Sequence, residues 1–155
     1  MPPHWTITEL GPDDWDRIVP EILALYNELG NEAEDLGALD ETRVRGPWQQ
    51  RPESMRVFAA LDERGAPLGV MTLTEGFAIY ANGRFGIIPE MYVRPGARSS
   101  GVGAALIATA RKTALERGWT RIEVTGPESD GTGRTLAFYR RNGFTYAGPK
   151  LKLPL

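Results

Sequence analysis

The chain has 155 residues, within the roughly 100–200 typical of one domain, and a chain of that length buries roughly two-thirds of the surface its unfolded form exposes. Lys and Arg number 18 against 20 Asp and Glu, a formal net charge of −2, so nothing favours a polyphosphate backbone and nucleic acid is not an expected partner. Cys is absent, which excludes disulfides, thiolate metal sites and a cysteine nucleophile, and the one His, His4, cannot alone build a metal site or a catalytic triad.

No apolar run approaches the ~18 residues of a membrane span, and Met1-Pro2-Pro3-His4-Trp5 carries no basic and apolar leader. The expectation is a single cytoplasmic domain over residues 1–155, with no membrane partner and no metal. Thr6 to Leu10 alternates like a short strand. Gly11-Pro12-Asp13-Asp14 then offers an N-cap and an acidic first turn for a helix to about Leu29. Trp15, Ile18, Val19, Ile22, Leu25, Tyr26 and Leu29 give that helix a core-facing stripe, and Pro20 predicts a kink or a break. Between Gly30 and Pro52 the periodicity is weak. Short helical turns around Glu34 to Arg45, and substrate-facing structure, are expected there, with Glu32, Glu34, Asp35, Asp40 and Glu41 on a solvated face.

Ser54 to Leu61 reads as a strand, joined by the turn Asp62 to Pro67 to an antiparallel partner, Leu68 to Thr74. A second hairpin runs from Phe77–Tyr80 through Ala81-Asn82-Gly83-Arg84 into Phe85 to Val93. The period then changes. Arg94 to Gly103 is a short Gly/Ser loop, and a helix follows with Val102, Leu106, Ala110, Thr113 and Ala114 on one side, closed by Arg117-Gly118. Arg121 to Thr125 is the next strand, parallel to the one ending at Val93 if the helix is a right-handed crossover. After a loop from Gly126 to Gly133 come a short helix, Arg134 to Asn142, and a closing strand or strands, Phe144-Thr145-Tyr146 with Leu151-Lys152-Leu153.

Chemistry concentrates where strand meets helix. Arg98-x-x-Gly101-x-Gly103-Ala104 puts two glycines and a fixed positive charge at a helix N-terminus, where the first backbone N–H groups lack intrahelical partners. Alone, such a turn suits either a bound diphosphate or a purely structural corner, and it lacks the Gly-Lys-Ser/Thr ending of a P-loop. The longer string, Glu90-Met91-Tyr92-Val93-Arg94-Pro95-Gly96-Ala97-Arg98-Ser99-Ser100-Gly101-Val102-Gly103-Ala104-Ala105-Leu106, is followed by Leu136-Ala137-Phe138-Tyr139-Arg140-Arg141-Asn142-Gly143-Phe144. Together they resemble the GCN5-related N-acetyltransferase (GNAT) superfamily, over roughly Leu68 to Tyr146. The first matches its Arg/Gln-x-x-Gly-x-Gly/Ala motif and the second its Phe-Tyr-x-x-x-Gly-Phe signature.

The resemblance implies an α/β (α+β) fold: a mixed, mostly antiparallel central sheet with a parallel βαβ unit at its centre and helices on both faces. It implies acetyl-CoA as acyl donor, with main-chain groups of Met91, Tyr92 and Val93 pairing with the pantetheine arm. Arg98 and the amides of Ser99, Ser100, Gly101, Val102, Gly103 and Ala104 would hold the diphosphate. Tyr139 falls on the family's frequent general-acid tyrosine, and Glu90 on an acidic strand position near the acceptor amine. Where many members carry Asn and Ala ahead of that tyrosine, this chain has Thr132 and Thr135. Direct transfer needs no covalent enzyme intermediate, which suits a chain without Cys. An alkylammonium of pKa ~10 must lose a proton, for which Glu90 is the first candidate, and a backbone N–H near Tyr92 or Val93 can polarise the thioester carbonyl.

Each assignment has a plainer counterpart: Tyr139 as a core aromatic, Glu90 as a solvated strand residue. Glu75, Tyr80, Trp48, Tyr26 and Glu28 are further candidates to line an acceptor pocket. The expected partner is an amine-bearing acceptor, with a homodimer possible through the apolar Tyr146, Leu151, Leu153 and Leu155. The alternative to an enzyme is a non-catalytic acyl-CoA-binding or regulatory module.

Overall fold

A computed structural model of the chain describes residues 4–30, 39–126, 133–148 and 150–155. Strand formers become β1 (Trp5–Leu10), β2 (Arg56–Asp62), β3 (Pro67–Ala78), β4 (Gly83–Ile88), β5 (Met91–Val93) and β6 (Ile122–Val124). The helices are α1 (Trp15–Leu29), α2 (Glu41–Gln50), α3 (Val102–Arg117) and α4 (Arg134–Arg141). The chain forms two compact units, 1–123 and 124–155.

The sheet runs β1-β2-β3-β4-β6, with β5 paired to β3 beside β4. All pairs are antiparallel except β4 with β6, which is parallel. Against one face pack α1 and α2, whose Trp15, Ile18 and Trp48 join Leu10, Val57, Ala59, Leu61, Val70 and Tyr92 in one apolar cluster. Side chains alternate across a strand, so Phe58, Met71 and Leu73 fall on the opposite face. There α3 buries Val102, Leu106, Ile107, Ala110, Thr113 and Ala114. Gly69 on β3 lets its first turn come close: a Cβ there would stand 2.8 Å from Val102 Cγ1.

Several expectations are corrected. Pro20 does not divide α1, which runs unbroken from Trp15 to Leu29 with the proline on its exposed side. Of the stretch Glu34 to Arg45 where helical turns are expected, residues 34–38 lie outside the described ones, and from Glu41 the chain forms a longer helix, α2, which starts after an Asp40 cap (Oδ1 accepting from Thr42 N–H at 3.0 Å) and continues through Gly46-Pro47. Burial of Trp48, with Val44 packed on the same cluster, outweighs the poor local propensity. Glu32, Glu34, Asp35 and Thr132 lie outside the described residues.

The strand expected from Phe85 to Val93 is two strands. Met71 faces Met91 and Thr74 faces Ile87, so four residue steps on this side match three on β3, a β-bulge at Pro89-Glu90 where proline has no ladder donor. The expected parallel pairing holds in the first part of that segment: β6 runs parallel to β4, with Gly86 N–H donating to Arg121 O at 2.9 Å. The expected closing strands do not form. Residues 144–148 and 150–155 are irregular and Tyr146, Leu151 and Leu153 exposed, Leu151-Lys152-Leu153 being too short a segment between prolines to hold a ladder.

Candidate active site

The site starts from a strand edge. Arg94 N–H donates to Leu68 O and Thr72 N–H to Glu90 O, both at 2.9 Å, which makes these the hydrogen-bonded pairs of the β3–β5 ladder. Antiparallel pairing alternates, so Tyr92 also turns its N–H and C=O to β3, while those of Met91 and Val93 point to the other edge. Among the described residues β5 pairs with β3 alone, so that edge is open. Of the three residues expected to offer main-chain groups, two do so outward.

Past Val93 the chain makes a short turn at Pro95–Ala97 and reaches α3 through Ser99 and Gly101, with φ of +66° and +88°. At Gly101, the residue before the helix, the left-handed conformation favours glycine. Ala105 N–H donates to Gly101 O at 3.0 Å, so the amides of Val102, Gly103 and Ala104 precede the first intrahelical donor and crown the positive end of a 16-residue helix.

Arg98 is already engaged. Its Nε donates to Val93 O at 3.0 Å, its Nη2 to both Glu28 oxygens at 2.7 Å, and its guanidinium lies 5.8 Å from the Tyr92 ring centre. It ties the loop to β5 and to α1, leaving Nη1 outside these contacts. A second tie lies beneath: Arg94 Nε donates to Glu21 Oε1 and Oε2 at 3.1 and 3.0 Å, and Glu21 is 2% exposed. A groove of about 610 Å³ opens over this pair, lined by Pro20, Glu21 and Ala24 of α1 and by Gly96, Ala97 and Ser100 of the loop.

Glu90 sits in the bulge on the face covered by α1. Its N–H donates to Thr72 Oγ1 at 2.9 Å, and the same hydroxyl donates to Glu90 Oε2. Thr72 is buried and Glu90 half-buried. The Tyr26 phenol of α1 is held above its ordinary range, first by burial, then by the Glu90 charge and its hydrogen bond to that carboxylate.

In residues 124–155, Tyr139 is buried on α4. Asn142-Gly143 turns the chain back so that Phe144 N–H reaches Tyr139 O at 3.0 Å. Phe138 and Phe144 then stand edge-on to the Tyr139 ring, centres 5.3 and 5.4 Å away. That is the local reason for the Phe-Tyr-x-x-x-Gly-Phe spacing. Burial pushes the phenol up to about 12, so it keeps its proton at neutral pH.

Other candidates have structural employment. Trp48 is a core residue whose Nε1 donates to Met55 O at 2.7 Å. Glu75 accepts from Trp119 Nε1 at 2.6 Å and from Arg117 Nε at 3.1 Å, and Tyr80 donates to Glu123 at 2.9 Å. Tyr26 and Glu28 do join the cluster. Thr72, Glu21 and Arg94 escaped the sequence reading, because a threonine within Val70-Met71-Thr72-Leu73 reads as one more β-branched core residue. Among the described residues no group of His, Asp and Glu is arranged to hold a metal ion.

The sequence profile of the acetyltransferase (GNAT) family matches residues 19–144. The chain belongs to that family. No curated protein matches the sequence. Among solved structures, the GNAT-family chain is similar to a GCN5-related N-acetyltransferase from Ralstonia eutropha JMP134, at 23% identity and TM-score 0.77, covering 97% of this chain and 98% of that one. It is similar to an aminoglycoside acetyltransferase from an uncultured soil metagenomic sample, at 20% identity and TM-score 0.75, covering 98% and 95%. A ribosomal-protein-alanine N-acetyltransferase from Brucella melitensis biovar Abortus 2308 follows at 17% identity and TM-score 0.74, covering 97% and 99%. At these identities the likeness is one of fold.

Proposed function

We propose that the protein is an acetyl-CoA-dependent N-acetyltransferase that passes the acetyl group directly to a primary amine of a small molecule or peptide in a ternary complex. One observation carries this reading: the open edge of β5 leads, through a left-handed turn, straight to the free amides of α3. The outward N–H groups of Met91 and Val93 and the C=O of Met91 suit an extended amide chain as an added strand would, the Val93 C=O being held by Arg98 Nε, and the amides of Ser99 to Ala104 suit a diphosphate. Arg98 adds positive charge through Nη1 while holding the loop in place. Bound acetyl-CoA supplies an acyl thioester. An outward main-chain N–H of β5 polarises the thioester carbonyl. Glu90 takes up, directly or through water, the proton that the acceptor ammonium must lose. Tyr139, protonated at neutral pH, gives its proton to the departing thiolate.

The two acceptors named for the similar structures, an aminoglycoside and a ribosomal-protein alanine, are the first to try. Protein, acetyl-CoA and either sisomicin or an Ala-initiated peptide are mixed, and free coenzyme A thiol is followed. Release that depends on the amine supports the reading. Binding of acetyl-CoA without thiol release from any amine in a broad library overturns it in favour of a non-catalytic acyl-CoA-binding module.

A further inference from the structure

At the β-bulge Pro89-Glu90 only the C=O of Glu90 pairs with the β3 backbone, so its N–H needs another acceptor inside the protein. Thr72 Oγ1 provides it at 2.9 Å, and the single proton of that hydroxyl is thereby directed to Glu90 Oε2. Thr72 N–H also donates to Glu90 O at 2.9 Å, so one residue grips backbone and side chain of the glutamate together. Thr72 is 2% exposed, and no other hydroxyl is needed to satisfy it. From the helix side the Tyr26 phenol feels the same carboxylate, whose charge adds to burial in raising it.

We propose that Thr72, with Tyr26 opposite, is the positioning residue of the site: its hydroxyl fixes the Glu90 carboxylate in one orientation on the α1 face by the same contacts that close the bulge. A glutamate free to turn would spread its oxygens over several rotamers, and a base must stand within hydrogen-bond reach of the proton it takes. A β-branched residue with a hydroxyl answers both needs, since its χ1 is stiff and its oxygen has donor and acceptor capacity. The inference rests on the acetyl-transfer reading only for the use made of the carboxylate. The orientation itself can be tested without any acceptor.

Tyr26 is the reporter. Thr72→Val keeps shape and volume but removes the grip; Thr72→Ser keeps the hydroxyl. Both are made in the wild-type chain and in Glu90→Gln, and the Tyr26 ring is followed by carbon-13 NMR through its alkaline titration. The expected result is that Thr72→Val moves Tyr26 toward the free-tyrosine range, Thr72→Ser restores it, and neither has an effect in the Glu90→Gln background. An unchanged Tyr26 in Thr72→Val, or an equal shift in both backgrounds, overturns the proposal. With an amine identified by thiol release, Thr72→Val should lower kcat about 10-fold while the KM for acetyl-CoA stays within about 2-fold, with recovery in Thr72→Ser. Wild-type protein that shows the Tyr26 pattern yet acetylates no amine refutes the acetyl-transfer reading and leaves the positioning role standing.

Discussion

The α3 entry loop and the Glu90 bulge adjoin the two ends of the same short strand, and they are built in opposite ways. At the loop the chemistry is carried by backbone: outward N–H groups, a helix terminus, a glycine at φ +88°. Its side chains, Arg98 above all, serve first to hold the loop to Val93 and Glu28. At the bulge the proposed base is set by side chains, Glu90 itself with Thr72 of β3 and Tyr26 of α1. A backbone site is written in consecutive residues. A side-chain site exists only once the sheet has paired and the helix has docked.

Gly103→Asp should have the largest effect. Asp in the first turn suits the positive helix end, so the fold survives. It places a like charge and extra bulk where a diphosphate would lie, and calorimetry should show acetyl-CoA affinity reduced by about 100-fold or more. Undiminished affinity would mean that the loop is only a structural corner.

Arg94→Ala tests what joins the two regions. Glu21, at 2% exposure, would become a buried carboxylate without its partner, costing about 3 kcal/mol in a urea melt. Replacing both, with Glu21→Leu, should recover most of that loss, and a single substitution under about 1 kcal/mol would show that water already reaches the pair.

These contrasts explain what the residues disclosed beforehand. Gly101 and Gly103 between a strand pattern and a helical one announced the loop, and α3 follows its apolar stripe closely. The bulge does not announce itself, because Phe85 to Val93 is nearly all strand formers and Pro89-Glu90 reads as part of one strand. Proline's missing donor was the available signal. Likewise α2 was hidden by Gly46-Pro47, whose low propensity is overridden by Trp48 entering the core. The Thr72–Glu90 grip depends on register, which a single strand's composition does not specify.

Tyr139→Phe comes next in size. The ring stays packed between Phe138 and Phe144 while the proton donor is lost, so kcat should fall by about 10- to 100-fold with cofactor affinity nearly unchanged. With the phenol at about 12, the wild-type rate should show no loss of this acid up to about pH 10. Normal turnover with a lowered melting temperature would make Tyr139 a core residue only. The smallest effect belongs to Glu28→Gln. The Glu28–Arg98 pair is exposed, so releasing Arg98 should tighten acetyl-CoA binding by about 2- to 5-fold, and less at high salt. Weaker binding instead would mean that Arg98 matters chiefly as a tether for the loop.

The central claim is that the open β5 edge and the α3 amides together form one acetyl-CoA cradle. Nitrogen-15-labelled protein titrated with acetyl-CoA tests it residue by residue. The amides of Met91, Val93 and Val102 to Ala104 should shift most, with Tyr92, whose N–H is committed to β3, shifting less than its two neighbours. Saturable binding that leaves Met91, Val93 and the α3 amides unmoved, or no binding at millimolar acetyl-CoA, would contradict the account.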